Sequence, residues 1–395
     1  MKVPIALATA MAALLASASG LGLLIARRLT APPSSRRFDL TIRGVEQDGD
    51  RQSIMLDRTD QTESSGVFTL LFPGGEWLQL STEVLDRGPG RIARIVTGTA
   101  PGFTPSAGKR GSWSGIYFMT PTDAGLVSHD VGISTPSGTA PAWRVDGKGE
   151  HSTTWAIHIH GLGSPRAGTL RGVQVATEQG YTSLIVSYRN DGEGPRYGSG
   201  RSMLGATEVD DVEAAIQYAI DHGARQIVLF GWSMGTQVAL QLAARPQYRQ
   251  LITGLVLESP VLDWVATIKA NCARVGLPAA GGLLALPWLT FPFLARAIGL
   301  PASIPLRDLD WIARSHELAV PTLILHGEND DSAPAAVSRK LAALRPGLVR
   351  LELFDAEHSM TWNSDQERWR STVVAWRTAE ATGDCPGPVM DRSVG

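Results

Sequence analysis

Three polar residues have the types, and the order along the chain, that nucleophilic catalysis requires. Ser233 lies in a Gly-x-Ser-x-Gly segment, Asp330 follows a His-Gly-Glu-Asn segment, and His358 follows Asp-Ala-Glu. A serine hydroxyl is a weak nucleophile at neutral pH, so it needs an adjacent base, and the base needs a group that orients it. Ser233, His358 and Asp330 are therefore the candidate nucleophile, general base and orienting carboxylate, with Asp331 as the alternative carboxylate.

The residues on both sides of Ser233 strengthen the prediction of a nucleophile. The apolar run at 227–230 predicts a buried strand, and the apolar residues of 236–244 recur at helical spacing. Gly-x-Ser-x-Gly between a strand and a helix is typical of a nucleophile elbow, a sharp turn that projects the serine above a sheet. The pattern alone is common, and an ordinary turn with a serine N-cap is the alternative interpretation.

Asp330 and His358 are each predicted to follow a strand. Asp330 lies in the loop after a strand that ends at Leu325, and His358 follows the last predicted strand of the chain. Catalytic groups collect at the carboxyl ends of parallel strands, so these loops are expected to meet beside Ser233. The order Ser, Asp, His along the chain is that of α/β-hydrolases.

Acyl transfer also needs backbone donors for the oxyanion of the tetrahedral intermediate. We predict the N–H groups of Met234 and Leu162, because the glycine-containing segment 160–163 follows a predicted strand. His158 and His160 alternate on that strand and resemble a His-x-His metal motif. No further ligand follows at metal spacing, so we predict neither a metal nor a cofactor.

The segments that follow residue 152 predict the fold of the main domain. Strands alternate there with helices, which is typical of a mostly parallel sheet flanked by helices. We expect this α/β domain to span 112–380, with a small helical cap at about 263–318 over the active site. Residues 381–395 are polar and contain Gly and Pro, which predicts a flexible tail.

The region before the α/β domain is predicted to be rich in β-strands. Short runs separated by Gly, Asp and Pro predict a small antiparallel unit over 38–111. Three further runs, at 115–120, 125–134 and 141–147, predict antiparallel strands at the leading edge of the larger sheet.

The N-terminal residues 1–37 predict a hydrophobic anchor and a linker. Residues 3–26 are almost entirely apolar and long enough to cross a bilayer as one helix. Cleavage of a signal peptide at the Ala-x-Ala site, 16–18, followed by secretion, is the alternative. The Pro- and Ser-containing linker at 32–35 argues against a helix buried in the domain. We therefore expect a membrane protein, with the side of the catalytic domain left open.

Composition excludes some classes of partner. The chain has 395 residues, 43% of them hydrophobic, and a net charge of −2. It has no basic block with interleaved aromatic residues, so a nucleic-acid partner is not expected. Cys272 and Cys385 lie far apart without metal spacing and are able to form at most one bridge. The composition leaves the oligomeric state open.

Residues from about 115 to 378 resemble the α/β-hydrolase superfamily. They are most similar to bacterial serine-aminopeptidase-like hydrolases and to acylaminoacyl-peptidase-like hydrolases of the prolyl-oligopeptidase kind. The segments that carry the resemblance are HGLG, SYRND, GWSMG, HGEND and AEHSM. The resemblance implies an α/β-hydrolase fold and a catalytic triad of Ser233, Asp330 and His358. Within the SYRND segment, residues 188–191 are candidates for a substrate contact or for an Arg–Asp ion pair.

These patterns predict a serine hydrolase that cleaves carboxylic ester bonds through an acyl-enzyme intermediate. Its substrate would be a small acyl ester or a peptide-like molecule, and the apolar stretch at 280–300 suggests a hydrophobic acyl group. The sequence contains no large β-propeller and no obvious acidic pair to hold the amino terminus of a peptide. A peptidase of the same fold is the first alternative, and a non-catalytic binding module on this fold is the second.

Overall fold

The computed structural model describes the backbone of residues 2–382 and the side chains of residues 15–380. Two β-sheets organise this part of the chain, one on each side of a connecting segment at 115–128. Most of the helices pack against the second sheet, and the candidate site lies at the carboxyl ends of its strands.

The first sheet is antiparallel throughout its described strands. In spatial order its strands run β1-β7-β4-β5-β6-β3-β2. Alternate residues such as Leu78 and Leu80 are fully buried, which is the period-2 pattern of a sheet with one face on a core. The strands are β1 Leu40–Thr41, β2 Gly44–Asp48, β3 Arg51–Asp57, β4 Phe68–Leu71, β5 Trp77–Asp86, β6 Arg91–Thr99 and β7 Arg110–Ser114.

The second sheet has the order β15-β14-β13-β12-β10-β11-β9-β8 and is mostly parallel. Strands β10 to β15 pair in parallel, and β8 and β9 form an antiparallel edge. Every residue of β10, β11 and β14 is buried, because helices cover both faces. The strands are β8 His129–Thr135, β9 Gly138–Val145, β10 Thr154–Ile159, β11 Thr182–Val186, β12 Gln226–Trp232, β13 Ile252–Glu258, β14 Thr322–Gly327 and β15 Val349–Phe354.

The helices lie on the two faces of the second sheet, as an α/β-hydrolase fold requires. One core, around Val212 and Val238, lies under α4 and α5, and another, around Val175 and Trp369, lies under α3 and α11. The segment predicted as a cap contains α6, α7 and α8. The helices are α1 Lys2–Leu29, α2 Asp60–Glu63, α3 Leu170–Glu178, α4 Glu208–Asp221, α5 Gly235–Ala244, α6 Trp264–Arg274, α7 Leu286–Thr290, α8 Pro292–Ala297, α9 Ala335–Leu344, α10 Thr361–Ser364 and α11 Gln366–Thr382.

The predicted transmembrane helix at residues 3–26 is wrong, and the predicted membrane location is corrected with it. None of the helices in the described part of the chain is long and apolar enough to cross a bilayer. The later part of α1 instead packs against the cap segment. Ala26 is fully buried, and the Ser19 carbonyl accepts a hydrogen bond from Trp288 Nε1 at 3.1 Å. Gly22 lies so close to the cap that an added Cβ would be 2.0 Å from the Leu284 carbonyl oxygen.

The linker after α1 also lies against the α/β domain. Thr30 is fully buried, and its carbonyl accepts a hydrogen bond from the Ser202 N–H at 3.1 Å. Arg201 Nη1 donates to Thr30 Oγ1 at 3.1 Å, and Pro33 packs near Gly192. The proline-containing linker therefore follows a packed helix.

Two other predicted segments, the strand at 115–120 and the C-terminal tail, differ from the structure or lie outside its described residues. The predicted strand at 115–120 is wrong, because β7 ends at Ser114 and the next residues form the connection between the sheets. The Tyr117 carbonyl accepts hydrogen bonds from Thr69 Oγ1 and Gln79 Nε2, which fixes this connection to the first sheet. Most of the predicted tail, 383–395 including Cys385, lies outside the described residues, whereas Cys272 is buried in α6.

Candidate active site

Ser233 lies at the turn between β12 and α5 with φ of +50°. A residue with a side chain rarely adopts this left-handed conformation, and such strain clusters at functional sites. An added Cβ on Gly235 would lie 2.2 Å from the Ile159 carbonyl oxygen, and one on Gly231 would lie 2.9 Å from Thr236 Cα. The two glycines of the pattern are therefore required by close packing around the turn.

The hydroxyl of Ser233 does not cap α5. Met234 occupies the N-cap position of that helix, and its side chain makes no capping hydrogen bond. Ser233 Oγ instead lies 2.9 Å from His358 Nε2, and its own backbone N–H donates to the Glu258 carbonyl at 2.9 Å. The geometry therefore argues against the serine N-cap interpretation.

Ser233, His358 and Asp330 form one continuous chain of hydrogen bonds. His358 Nδ1 lies 2.7 Å from Asp330 Oδ2, and His358 Nε2 lies 2.9 Å from Ser233 Oγ. Because the carboxylate accepts the proton on Nδ1, Nε2 is left to accept the serine hydroxyl proton. The structure thus brings together all three residues that the sequence singled out.

The Asp330 carboxylate is held in place by several donors. Its Oδ1 accepts the N–H groups of Ser332 and Ala333 at 3.0 and 2.7 Å, and its Oδ2 also accepts from His326 at 3.1 Å. Burial acts to raise the pKa of Asp330, but hydrogen bonds from His326 and His358 outweigh it and hold that pKa well below the ordinary value. Asp330 is therefore an oriented carboxylate that stays ionised.

Asp331, the alternative carboxylate, lies elsewhere. Its side chain is 61% exposed, and its Oδ1 lies 3.9 Å from Arg274 Nε. The hydrogen bond from His358 goes to Asp330. Asp331 therefore occupies the solvent-exposed side of the loop.

Sequence reasoning missed the role of His326. This residue is fully buried, and its Nε2 donates to Asp330 Oδ2 and to the Ala333 carbonyl at 2.8 Å. Its Nδ1 accepts from Ser338 Oγ at 2.8 Å. The sequence does place His326 near the end of β14, four residues before Asp330, and this position could have indicated the contact.

The two predicted oxyanion donors belong to segments that adjoin Ser233. An added Cβ on Gly161 would lie 3.7 Å from Ser233 Oγ, so the loop at 160–163 packs directly against the serine. Met234 and Leu162 line the same small pocket. Within the described part of the chain, neither of their backbone N–H groups has a hydrogen-bond acceptor.

A buried polar pair adjoins the loop at 160–163. His160 Nε2 lies 3.0 Å from Asp191 Oδ2, and the Tyr188 hydroxyl donates to the carbonyls of His160 and Gly161 at 2.9 and 3.3 Å. Burial acts to raise the pKa of Asp191, but the hydrogen bonds from His160 and from backbone N–H groups lower it overall. These contacts fix the path of the loop that carries Leu162.

The segment at 188–191 therefore has a positioning role through two of its side chains. Its Arg189 forms a buried ion pair at 2.7 Å with Asp211 of α4. Asp191, the acid within the segment, bonds His160 instead. An Arg–Asp pair is present, but the partner comes from another element.

His158 and His160 have separate partners. His158 Nε2 lies 3.2 Å from Ser183 Oγ, and its ring packs 4.7 Å from that of Phe230. Burial lowers the pKa of His158 to about 3. His158 is therefore a neutral residue of the sheet, and His160 belongs to the loop at 160–163.

Glu258 is a second contributor that sequence reasoning missed. It ends β13, and its Oε2 accepts the indole N–H groups of Trp232 and Trp369 at 3.0 and 3.1 Å. Its carbonyl accepts the Ser233 N–H. One buried residue therefore fixes both Ser233 and the residue before it.

This chain belongs to the alpha/beta hydrolase family, whose sequence profile matches residues 156–370. It is therefore a hydrolase by family. A second profile, a domain of unknown function (DUF8805), matches residues 41–114, which correspond closely to the first sheet.

Individual proteins similar to this chain include esterases of known structure. The Pyrococcus furiosus esterase Pf2001 aligns with a TM-score of 0.51 and 19% identity, covering 66% of this chain and 93% of that one. Another crystal form of Pf2001 aligns with a TM-score of 0.51 and 20% identity, covering 66% of this chain and 95% of that one. The proposed carbamate hydrolase RutD of Klebsiella pneumoniae (strain 342) is 29% identical over 202 residues, covering 43% of this chain and 72% of that protein.

Proposed function

We propose that this chain is a serine hydrolase that cleaves carboxylic ester bonds through an acyl-enzyme intermediate. The observation that carries the proposal is the hydrogen-bond chain from Ser233 through His358 to Asp330. It begins at a serine held at φ +50° on a strand-to-helix turn. The family membership of residues 156–370 supports the same assignment.

Acylation begins at Ser233. Its Oγ attacks the carbonyl carbon of the ester while His358 Nε2 removes the hydroxyl proton. Asp330 keeps the proton of the neutral imidazole on Nδ1 and stabilises the imidazolium that forms. The four hydrogen-bond donors to this carboxylate keep it in the orientation that His358 needs.

The negative charge that develops on the carbonyl oxygen needs donors that are already in place. The backbone N–H groups of Met234 and Leu162 supply them in this proposal, because each lies beside Ser233 without an acceptor among the described residues. Such donors are worth about 10²–10³-fold in rate each in a serine hydrolase.

His358 acts as an acid and as a base in turn. It delivers its proton to the alcohol oxygen as the carbon–oxygen bond of the ester breaks, which completes acylation. In deacylation it removes a proton from the water that attacks the acyl-enzyme, and returns that proton to Ser233 Oγ as the bond between Ser233 and the acyl carbon breaks and the acid leaves. The two half-reactions balance with water as the second substrate.

An ester is the favoured substrate over a peptide. The cap segment carries the exposed apolar residues Leu283, Phe291 and Phe293, and in this proposal such a cap would contact a hydrophobic acyl group and not a charged amino terminus. The esterase names of the structural neighbours agree with this choice. A peptidase, in keeping with the aminopeptidase-like resemblance of the sequence, is the alternative within the same mechanism.

Hydrolysis of a substrate series tests the proposal. The series would contain p-nitrophenyl esters from acetyl to dodecanoyl, aminoacyl p-nitroanilides and an aryl carbamate, each measured with the wild type and with Ser233→Ala. We expect ester turnover in the wild type and a loss of at least about 10⁴-fold in Ser233→Ala. Turnover of the anilides or the carbamate without the esters would contradict the ester assignment. Full ester turnover by Ser233→Ala, or none by either protein, would contradict the mechanism and favour a binding module.

A further inference from the structure

A second pocket, of about 330 Å³, lies between α3 and α11. None of Ser233, Asp330 and His358 lines it, so it is separate from the candidate active site described above. Its volume falls in the range of small-molecule sites. The residues that matter for its chemistry are Tyr117, Phe118, Arg171, Trp362, Gln366 and Trp369.

Arg171 supplies a buried positive charge to this pocket. The residue is 5% exposed, and its Nε donates to the Gly168 carbonyl at 3.3 Å. Its Nη1 donates to the Ser359 carbonyl at 3.2 Å and to Asn363 Oδ1. Among the residues with described side chains, Nη2 finds no acceptor and no carboxylate forms an ion pair with Arg171.

The other charged groups near the pocket do not neutralise Arg171. Arg370 and Glu178 both line the pocket, and they pair with each other. The buried carboxylate of Glu258 accepts hydrogen bonds from the indoles of Trp232 and Trp369. Burial lowers the pKa of Arg171, and the charge of Glu258 offsets this only in part. A buried, unpaired cation is unfavourable, so an anion placed beside Nη2 would be stabilised.

Aromatic rings form the wall of the pocket next to this guanidinium. The rings of Tyr117 and Phe118 lie 5.0 Å apart and edge to face, and Trp362 lies 5.5 Å from Tyr117. The Arg171 guanidinium lies 5.9 Å from the Trp362 ring. The three rings are inclined to one another, and an aromatic ring bound among them would gain from edge and offset contacts beyond simple burial.

We infer that this pocket binds a small aromatic carboxylate, with the carboxylate on Arg171 and the ring against Tyr117, Phe118 and Trp362. A guanidinium matches a carboxylate in shape and charge, and the aromatic wall selects a planar body over an aliphatic one. The inference concerns a site outside the Ser233 cleft and does not depend on the proposed function.

Binding of phenylacetate to the Ser233→Ala protein tests the inference, because binding is read without turnover. Calorimetry would compare phenylacetate with phenylacetamide, acetate and inorganic phosphate. We expect saturable binding of phenylacetate, at least tenfold weaker binding of the neutral amide, and at least tenfold weaker binding of acetate and phosphate. Equal affinity for phenylacetate and its amide, or no phenylacetate binding, would overturn the inference.

Variants locate the binding. Arg171→Gln should abolish it, but Arg171 also supports the Ser359 carbonyl, so a second variant avoids the risk of misfolding. Gln366→Glu adds a negative charge to the pocket wall at a half-buried residue, and should weaken phenylacetate binding at least fivefold. Gln250→Glu adds the same charge at an exposed position outside this pocket and should leave binding unchanged. Equal affinity of the two Gln→Glu variants would place the ligand elsewhere and refute the inference.

Discussion

At the scale of single residues, the Asp330 carboxylate is the group on which most of the site's hydrogen bonds meet. It accepts from two imidazoles and two backbone N–H groups. The neighbouring Asp331 has the same charge but points to solvent. The two aspartates therefore offer a matched pair for separating catalytic orientation from charge.

We expect Asp330→Asn to lower kcat by about 10⁴-fold, because an amide no longer fixes the tautomer of His358 that accepts the Ser233 proton. Asp331→Asn should change kcat less than twofold, since its contact with Arg274 is long and exposed. Steady-state kinetics on the preferred ester measure both. Similar losses in the two variants would contradict the assigned roles.

His158 makes the stability of the fold depend on pH. Its pKa is lowered by burial to about 3 in the folded protein, whereas an unfolded histidine titrates near about 6.5. The unfolded chain therefore binds a proton first as the pH falls. The contribution of His158 to the free energy of unfolding is fully present above about pH 6.5. It decreases below that pH, by up to about 1.4 kcal/mol per pH unit.

The variant His158→Phe keeps an aromatic ring against Phe230 but does not titrate. We expect its free energy of unfolding to fall less steeply than that of the wild type between about pH 6.5 and pH 4. His151→Phe, at an exposed histidine, is the control and should follow the wild type. Urea unfolding at several pH values gives the slopes. Parallel slopes for wild type and His158→Phe would refute this account.

Much of the site could be predicted from residue types alone, and the rest depends on contacts between distant segments. Ser233, Asp330 and His358 stand in recognisable short patterns. The support of His160 by Asp191 joins residues 31 apart, and that of Trp369 by Glu258 joins residues 111 apart. No short sequence pattern predicts either pair, because the sequence near a buried residue does not indicate which distant residue it will contact.

At the scale of elements, the loop at 160–163 is held by a side chain on the segment after β11. The Tyr188 hydroxyl reaches the carbonyls of His160 and Gly161, and its ring stacks 4.3 Å from that of His160. It touches the loop and not the nucleophile. Tyr188 therefore positions this loop, and in the proposed mechanism it positions the Leu162 N–H.

We expect Tyr188→Phe to lower kcat about tenfold with little change in KM, since the loop loses two hydrogen bonds but keeps its donor. This loss is smaller than the ~10²–10³-fold loss expected when a donor itself is removed. Tyr197→Phe, at a tyrosine that is 48% exposed, is the matched control. An equal change in the two variants, or a change in KM alone, would count against the positioning role.

The alternation of strands and helices after residue 152 predicted the parallel sheet because each strand is a short buried run between amphipathic helices. The run at 115–120 was not separable from a strand by this criterion. Its aromatic residues Tyr117 and Phe118 are apolar because they pack on Trp362 of α10, outside any sheet. The pattern of apolar residues predicts which side chains are buried, but it does not predict which element they pack against.

At the scale of the whole molecule, α1 shows the same ambiguity. A long apolar helix has the same kind of sequence whether lipid or protein covers it. What decides the matter in the described part of α1 is a set of contacts with the cap, including one between Ser19 and Trp288 that spans 269 residues. Gly22 allows the close approach of the helix to Leu284.

We expect Gly22→Ala to loosen α1, because the new Cβ would lie 2.0 Å from the Leu284 carbonyl oxygen and backbone must shift. Gly20→Ala should leave α1 in place, since nothing lies within 4 Å of its added Cβ. Hydrogen exchange of residues 15–29 measures the difference. Equal exchange in both variants would contradict the packing of α1 on the cap.

The central claim is that Ser233 is an activated nucleophile, and covalent labelling by a fluorophosphonate tests it most directly. The reagent forms an adduct only with a serine that has an adjacent base and an oxyanion site. We predict one adduct in the wild type, on the peptide that contains Ser233 by mass spectrometry. Ser233→Ala should give no adduct, and His358→Ala should label much more slowly. An unlabelled wild type, or an adduct that persists in Ser233→Ala, would contradict the account.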